Sequence, residues 1–232
     1  MSNPEFIHLR LHSQYSVVDS IIDFEALFQA LREKNMPAVA LTDESNFFGA
    51  VKFYKQALEA GIKPILGADF WIQEEEGPCR LTLLCQNQEG LGHLMELLSR
   101  AYLHAPRPEG IPVIPRAWLS VETLKGLIGL SGGVQGKIAR MILRESPEVL
   151  QEISAFQRLF PEDRFYFEVS RLGFPEEELY LERLLALAEV HHLPLVATSL
   201  VCFLAKEDVD AHEVRVAIGR GDVFDEERKS TE

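Results

Sequence analysis

Cysteine is scarce and scattered: Cys79, Cys85 and Cys202 are the chain's three. No pair has CxxC spacing and the number is odd, which excludes a zinc knuckle or a secreted disulfide framework and favours a reducing cytoplasm. Long apolar runs are also missing, and no stretch approaches the ~20 residues that span a bilayer. Met1-Ser2-Asn3-Pro4-Glu5 offers neither a basic n-region nor an apolar h-region, so no signal peptide and no membrane contact are expected. Positive charge is in short supply, with 23 Lys and Arg against 36 Asp and Glu and a formal net charge of −13. A surface so negative repels phosphate backbones, which leaves DNA as at most an indirect partner. Low-complexity linkers and internal repeats are absent.

What is there fits one large α/β domain. The chain has 232 residues, 47% hydrophobic and 25% charged, enough to close a substantial core. Phe6 to His12 alternates apolar and polar side chains as a strand does. Asp23 is placed to cap a helix in which Phe24, Leu27, Phe28 and Leu31 recur at i, i+3, i+4 and i+7. Ala38 to Thr42 reads as a buried strand, and a helix through Lys52 and Ala57 stops at Gly61. Pro64 to Gln73 and Cys79 to Cys85 read as strands joined by the acidic turn Glu74-Glu75-Glu76-Gly77-Pro78. Leu91 to Leu103 follows as a helix, then a proline-rich loop from Pro106 to Pro115. Further strands are expected at Leu127 to Ser131, Phe165 to Val169 and Leu195 to Thr198. Helices are expected near Ile138 to Leu143, Pro147 to Phe160, Glu176 to His191 and Asp208 to Ile218. About seven strands interleaved with helices imply parallel βα units wound into a barrel or sheet.

In such a barrel reactive groups gather at the C-terminal ends of the strands. The first strand delivers His8, Arg10 and His12 to one face, because side chains alternate with period two. Asp19 lies in the next loop, strand two ends in Thr42-Asp43-Glu44, and strand three carries Asp69. Strand four begins at Arg80, and the last ends Thr198-Ser199-Leu200-Val201-Cys202. His8 and His12 stand ~13 Å apart, too far to share an ion. Arginine cannot ligate, and its fixed charge opposes a dication. The pattern therefore reads as a polar mouth without a coherent metal cluster, in which Arg10 and Arg80 pair with Asp43 and Asp69. His12 and Asp19 read as a hydrogen-bonded brace, and Cys202 as a small buried residue. Asp208-Val209-Asp210 reads as helix capping, and His191-His192 as cations at a helix C-terminus.

Several segments together resemble a known family. Phe6-Ile7-His8-Leu9-Arg10-Leu11-His12, followed by Asp19, looks like the opening motif of PHP domains. Ala40-Leu41-Thr42-Asp43-Glu44-Ser45-Asn46-Phe47-Phe48-Gly49 is similar to the second motif, and Gly61-Ile62-Lys63-Pro64-Ile65-Leu66-Gly67-Ala68-Asp69-Phe70 to the third. Leu130-Ser131-Gly132-Gly133, Leu195-Val196-Ala197-Thr198 and Asp210-Ala211-His212-Glu213 match later stations. In this order they resemble the PHP domains of bacterial replicative DNA polymerase III α subunits, across essentially the whole chain. The resemblance implies a distorted (βα)7 barrel over 1–221. It leaves 222–232 as a polar tail, a boundary or the start of the next polymerase segment.

Active members of that family hold up to three metal ions for phosphoester hydrolysis, and the departures here bear on that. Arg10 stands for the first histidine of His-x-His, Glu44 for the histidine after Thr-Asp, Asp69 for a glutamate and Arg80 for a histidine. Gly133 takes the place of a cysteine or histidine, and Leu200 and Cys202 that of a closing Asp-x-His. Only His12 and Asp19 are unchanged. The resemblance thus implies a vestigial site with no catalytic residue and no cofactor. If any metal binds, His12, Asp19 and Asp69 are its ligands. It further implies a cytoplasmic scaffold that stabilises the rest of a DNA-directed DNA polymerase (a nucleotidyltransferase) and docks its proofreading exonuclease, an ε-type subunit. The alternative is a metal-dependent phosphoesterase, a pyrophosphatase or 3′-5′ exonuclease, with a partly rebuilt site.

Overall fold

A computed structural model describes residues 6–107 and 110–221. The polar tail expected at 222–232 lies outside the described residues. The strands are β1 (Arg10–Leu11), β2 (Ala38–Leu41), β3 (Lys63–Gln73), β4 (Cys79–Cys85), β5 (Val113–Pro115), β6 (Leu127–Leu130), β7 (Phe165–Val169), β8 (Leu195–Ala197) and β9 (Leu200–Val201). The helices are α1 (Phe24–Glu33), α2 (Ala50–Glu59), α3 (Gln88–His104), α4 (Lys137–Leu143), α5 (Val149–Leu159), α6 (Glu177–His191) and α7 (Val209–Arg220). No helix among the described residues is long and apolar enough to cross a membrane.

The hydrogen-bonded order β2-β3-β4-β6-β7-β8 forms a curled sheet, with β1 and β9 paired separately. The stretch 195–201 joins them. Its first half, β8, pairs with β7 and its second half, β9, pairs with β1. β1 in turn meets β2 through Ala40 N–H to His8 O and Thr42 N–H to Leu11 O. One segment therefore closes the ring into a distorted α/β barrel.

Three expectations need correction. β4 runs antiparallel to both β3 and β6, because the turn 74–78 is too short for a crossover, which takes a dozen or more residues. The first strand is two residues long rather than seven, since its ladder with β9 begins only at Arg10 and Leu200. The proline-rich loop ends in a strand, β5, which adds to Trp71–Gln73 of β3 in parallel. Pro115 closes β5, an edge position where the missing N–H costs nothing.

Helix faces follow the pattern read from the chain. Asp23 caps α1 by accepting the Glu25 N–H, and Phe24, Leu27, Phe28 and Leu31 are buried. Asn87 caps α3 three residues earlier than expected, accepting from Gly90. At α7 the capping expectation fails in detail: Asp208 is the N-cap without capping that helix, and its carboxylate accepts from Ala205 in the preceding 3₁₀ turn.

Apolar residues fill two outer layers and an inner plug. Leu11, Val39 and Leu41 pack against Phe24, Phe28 and Phe53 of α1 and α2. The larger layer joins β3, β4 and β7 to α3 through α6. Inside the ring, Ala40, Leu84 and Leu130 meet Ile65, Ile128, Tyr166 and Val196. That plug closes one end of the barrel beneath a layer of charged side chains.

Candidate functional site

Asp69 is the centre of the charged layer and is fully buried. β3 aims it inward opposite Thr82 of β4, whose hydroxyl donates to its Oδ1. Its other oxygen, Oδ2, receives three partners. Arg10 donates from Nη2 at 2.8 Å and Nε at 3.3 Å, Arg80 from Nη1 at 2.8 Å, and His12 stands at 3.0 Å through Nε2. Burial alone would raise the Asp69 carboxyl, but the charges of Arg10 and Arg80 and the contact with His12 hold it well below the usual carboxylate range.

Each cation has a second acid. Arg10 reaches Glu168 Oε1 at 3.5 Å; its own burial works against its charge, yet Asp69 and Glu168 raise its pKa. Arg80 donates to Glu44 Oε1 at 3.2 Å and lies over the Trp71 ring at 4.6 Å. Trp71 Nε1 donates to the same Glu44 oxygen at 2.6 Å. His12 Nδ1 sits 2.7 Å from Asp19 Oδ2. Burial opposes its protonation, but Asp19 and Asp69 outweigh that and raise it to about 9, so it is an imidazolium at neutral pH. Asp19, disfavoured by burial, is held low by the hydrogen bond and charge of His12.

Most expected positions converge here, and some do not. Arg10, His12, Asp19, Glu44, Asp69 and Arg80 form one linked network. Asp43, expected opposite an arginine, instead accepts the Ser13 N–H at 2.6 Å and hydroxyl at 2.9 Å; burial pushes its carboxyl up to about 6 despite those bonds. His8 does not enter the mouth and packs edge-on against Phe6. Leu200 lies beside Arg10 in the β1–β9 register and offers no donor. Gly133 follows β6 with φ +55, and a Cβ there would meet only Ser170 Oγ at 3.6 Å.

Glu168 escaped the sequence reading. It is buried on β7, accepts from Thr198 Oγ1 at 2.8 Å and from the Gly132 N–H, and its backbone N–H donates to Ser131 Oγ at 3.0 Å. Its signal was present: one carboxylate amid the apolar residues of Phe165–Val169, at an inward position. Thr82, Ser13 and Trp71 carried no comparable signal.

A metal ion of the kind the resemblance implies can be tested against these donors. Among the described residues, His12, Asp19 and Cys202 form the grouping with metal-ligand spacing, their donor atoms within 4.8 Å of one another. Yet both His12 nitrogens are committed to carboxylates, and burial with the nearby Asp19 charge raises the Cys202 thiol. A ligand thiol must be a thiolate and a ligand imidazole neutral. Asp69 is saturated by two guanidiniums, which occupy the space and supply the charge a dication would bring. The donor set as arranged does not fit a metal ion.

Comparison with known proteins places this geometry. The PHP domain family profile matches residues 8–172. The DNA polymerase III subunit alpha of Vibrio cholerae is 43% identical over 232 residues, covering 99% of this chain and 20% of that one. That of Escherichia coli K12 is 42% identical over 232 residues, with the same coverage of 99% and 20%. The chain spans about a fifth of the length of these relatives. Among solved structures, a metal-dependent phosphoesterase from Bifidobacterium adolescentis superposes with a TM-score of 0.58 at 14% identity, over 92% of this chain and 98% of that one. An amidohydrolase from Chromobacterium violaceum, solved with sulfate and no metal, gives 0.56 at 12% identity, over 90% and 96%. These two likenesses show the fold.

Proposed function

The chain belongs to the PHP domain family, and from that membership we propose that it is the PHP domain, over 1–221, of a bacterial replicative polymerase α subunit. In this reading it is a cytoplasmic scaffold without metal or turnover. It braces the rest of the polymerase chain and docks the proofreading exonuclease subunit, and meets DNA only indirectly. One observation carries the reading: Arg10, Arg80 and His12 all converge on Asp69 Oδ2. A site preserved for metal chemistry would be harmed by two guanidiniums at its centre, whereas a scaffold gains internal cross-links between β1, β3 and β4.

The test has two arms. Phosphate release from pyrophosphate and from DNA 3′ ends is measured with manganese present, and the exonuclease subunit is titrated against the chain. No turnover together with saturable binding is expected. Turnover abolished by His12→Ala would overturn the inactive-site half, and absence of binding at low salt the docking half. A second reading, a phosphoesterase with a rebuilt site, draws on the closeness of His12, Asp19 and Cys202. It requires His12 to lose its proton and one of its carboxylate partners, and the turnover arm decides it.

A further inference from the structure

Each helix from α1 to α6 sinks side chains into the core. α7 does not: in 199–221 no described residue is buried. Helices in proteins are held mainly by the packing of an apolar face, and a lone helix under roughly 15 residues is marginal in water. α7 spans 12 residues. Toward the barrel it turns His212, Arg215, Val216 and Gly219, spaced i, i+3, i+4 and i+7. Arg215 Nε is shut off from solvent there with no acceptor among the described residues, which weakens the seat.

What holds 199–221 is a short row of bonds to one ledge, residues 10–21. β9 pairs with β1 at Arg10 and Leu11. The His12 N–H donates to Val201 O at 3.0 Å and the Ile21 N–H to Cys202 O at 3.2 Å. The Ser20 hydroxyl donates to Cys202 O at 3.0 Å, and His212 Nε2 to Asp19 O at 2.9 Å. Gly219 lies so close to Val18 that a Cβ would stand 2.9 Å from its carbonyl oxygen. The ledge is fastened independently from its other side, where Ser13 donates to Asp43 and the Glu44 N–H to Ser16 Oγ. Upstream, Thr198 is anchored to β7 by its N–H on Val169 O at 3.0 Å and its hydroxyl on Glu168 at 2.8 Å. Firm attachment to the core therefore ends at Thr198.

We propose that 199–221 is a strap over the barrel mouth that lifts as one body, hinged after Thr198, while the rest of the barrel stays folded. Its bonds all end on the same ledge, so release of β9 and release of α7 are a single event. Lifting uncovers Asp19 and the buried His12 beside it, and carries Cys202 away. The ion network is sealed only when the strap is down.

Hydrogen exchange of the whole 232-residue chain, followed residue by residue by NMR, tests this. The amides of His12 and Ile21 belong to the ledge but donate to the strap. They are expected to share one protection factor with Val216 and Ala217 of α7, at least about tenfold below that of β3 and β4. Gly219→Ala then separates a lifting strap from a fraying helix. Alanine is the better helix former, so it slows exchange in a helix that frays by itself. In a docked strap the new Cβ meets the Val18 carbonyl, and exchange at His12, Ile21, Val216 and Ala217 rises together by more than about threefold. His12 and Ile21 exchanging with β3 and β4 instead of with α7 would overturn the proposal. So would slower exchange of α7 in G219A, or a rise in α7 that His12 and Ile21 do not follow. The parent measurement decides alone if the variant does not fold.

Discussion

Arg10 Nη2 and Asp69 Oδ2 stand 2.8 Å apart, with side-chain exposures of 4% and 0%. They lie 59 residues apart in the chain, so this ion pair ties β1 to β3 inside the barrel. Removing the cation takes from Glu168 the guanidinium it faces and leaves Asp69 to Arg80 and His12, and a buried acid short of its cation costs more than the pair itself contributes.

Arg10→Ala is therefore expected to lower unfolding stability by about 3–5 kcal/mol, read as a shifted denaturant midpoint. An unchanged midpoint would show that Arg80 and His12 alone satisfy Asp69.

Chelation should leave thermal unfolding in place, and elemental analysis should find no stoichiometric zinc, manganese or iron. The reason is the commitment of both His12 nitrogens and of Asp69 to internal partners. A bound ion adds its binding free energy to the folded state, so stripping it lowers the midpoint. A drop of many degrees with chelator would refute the arrangement described.

His12 predicts an alkaline loss of stability. Its pKa is raised to about 9 in the fold, against an ordinary 6.5. The folded state then binds this proton more tightly, so the contribution is complete below 6.5 and fades as pH climbs towards 9. His12→Gln should be less stable than the parent at pH 6 and should show a flatter profile between pH 6.5 and 9. Parallel profiles for the two proteins would mean that the imidazole is neutral.

Two adjacent glycines should respond unequally to alanine. At Gly132, φ is +83 and a Cβ would lie 2.2 Å from the Arg80 carbonyl oxygen, which is backbone and cannot yield. Gly132→Ala should cost well over ~1 kcal/mol and disturb Arg80, since strain adds to a clash. Gly133→Ala meets only the left-handed strain of φ +55 and should cost about 1 kcal/mol. Thermal melts of the two variants give the comparison, and equal midpoints would refute it.

Much of the fold was legible because helix and strand periods are local. Phe24, Leu27, Phe28 and Leu31 needed only their own spacing to mark the buried face of α1. Arg10 and His12 were assigned one face by the period of two, and both do reach Asp69. The antiparallel course of β4 could have been read from the five residues between Gln73 and Cys79, too few for a crossover. The role of Glu168 was hidden, because nothing within Phe165–Val169 says that Arg10, 158 residues away, is its partner.

The sequence by itself marked all seven helices among the described residues and most strands, and placed Arg10 and His12 on one face, since covalent spacing sets both; the extent of β1 and the existence of β5 depended on partners far along the chain. Which acid meets which cation was decided only by tertiary structure. That choice waits on the segment 195–201 pairing with β7 at one end and β1 at the other. Only then do Arg10, Asp69 and Glu168 share one dry interior, where an unpaired charge is too costly to keep. Asp43 shows the same dependence from the other side: a carboxylate as acidic in sequence as Asp69 is taken by Ser13, which lies nearer once the barrel is closed.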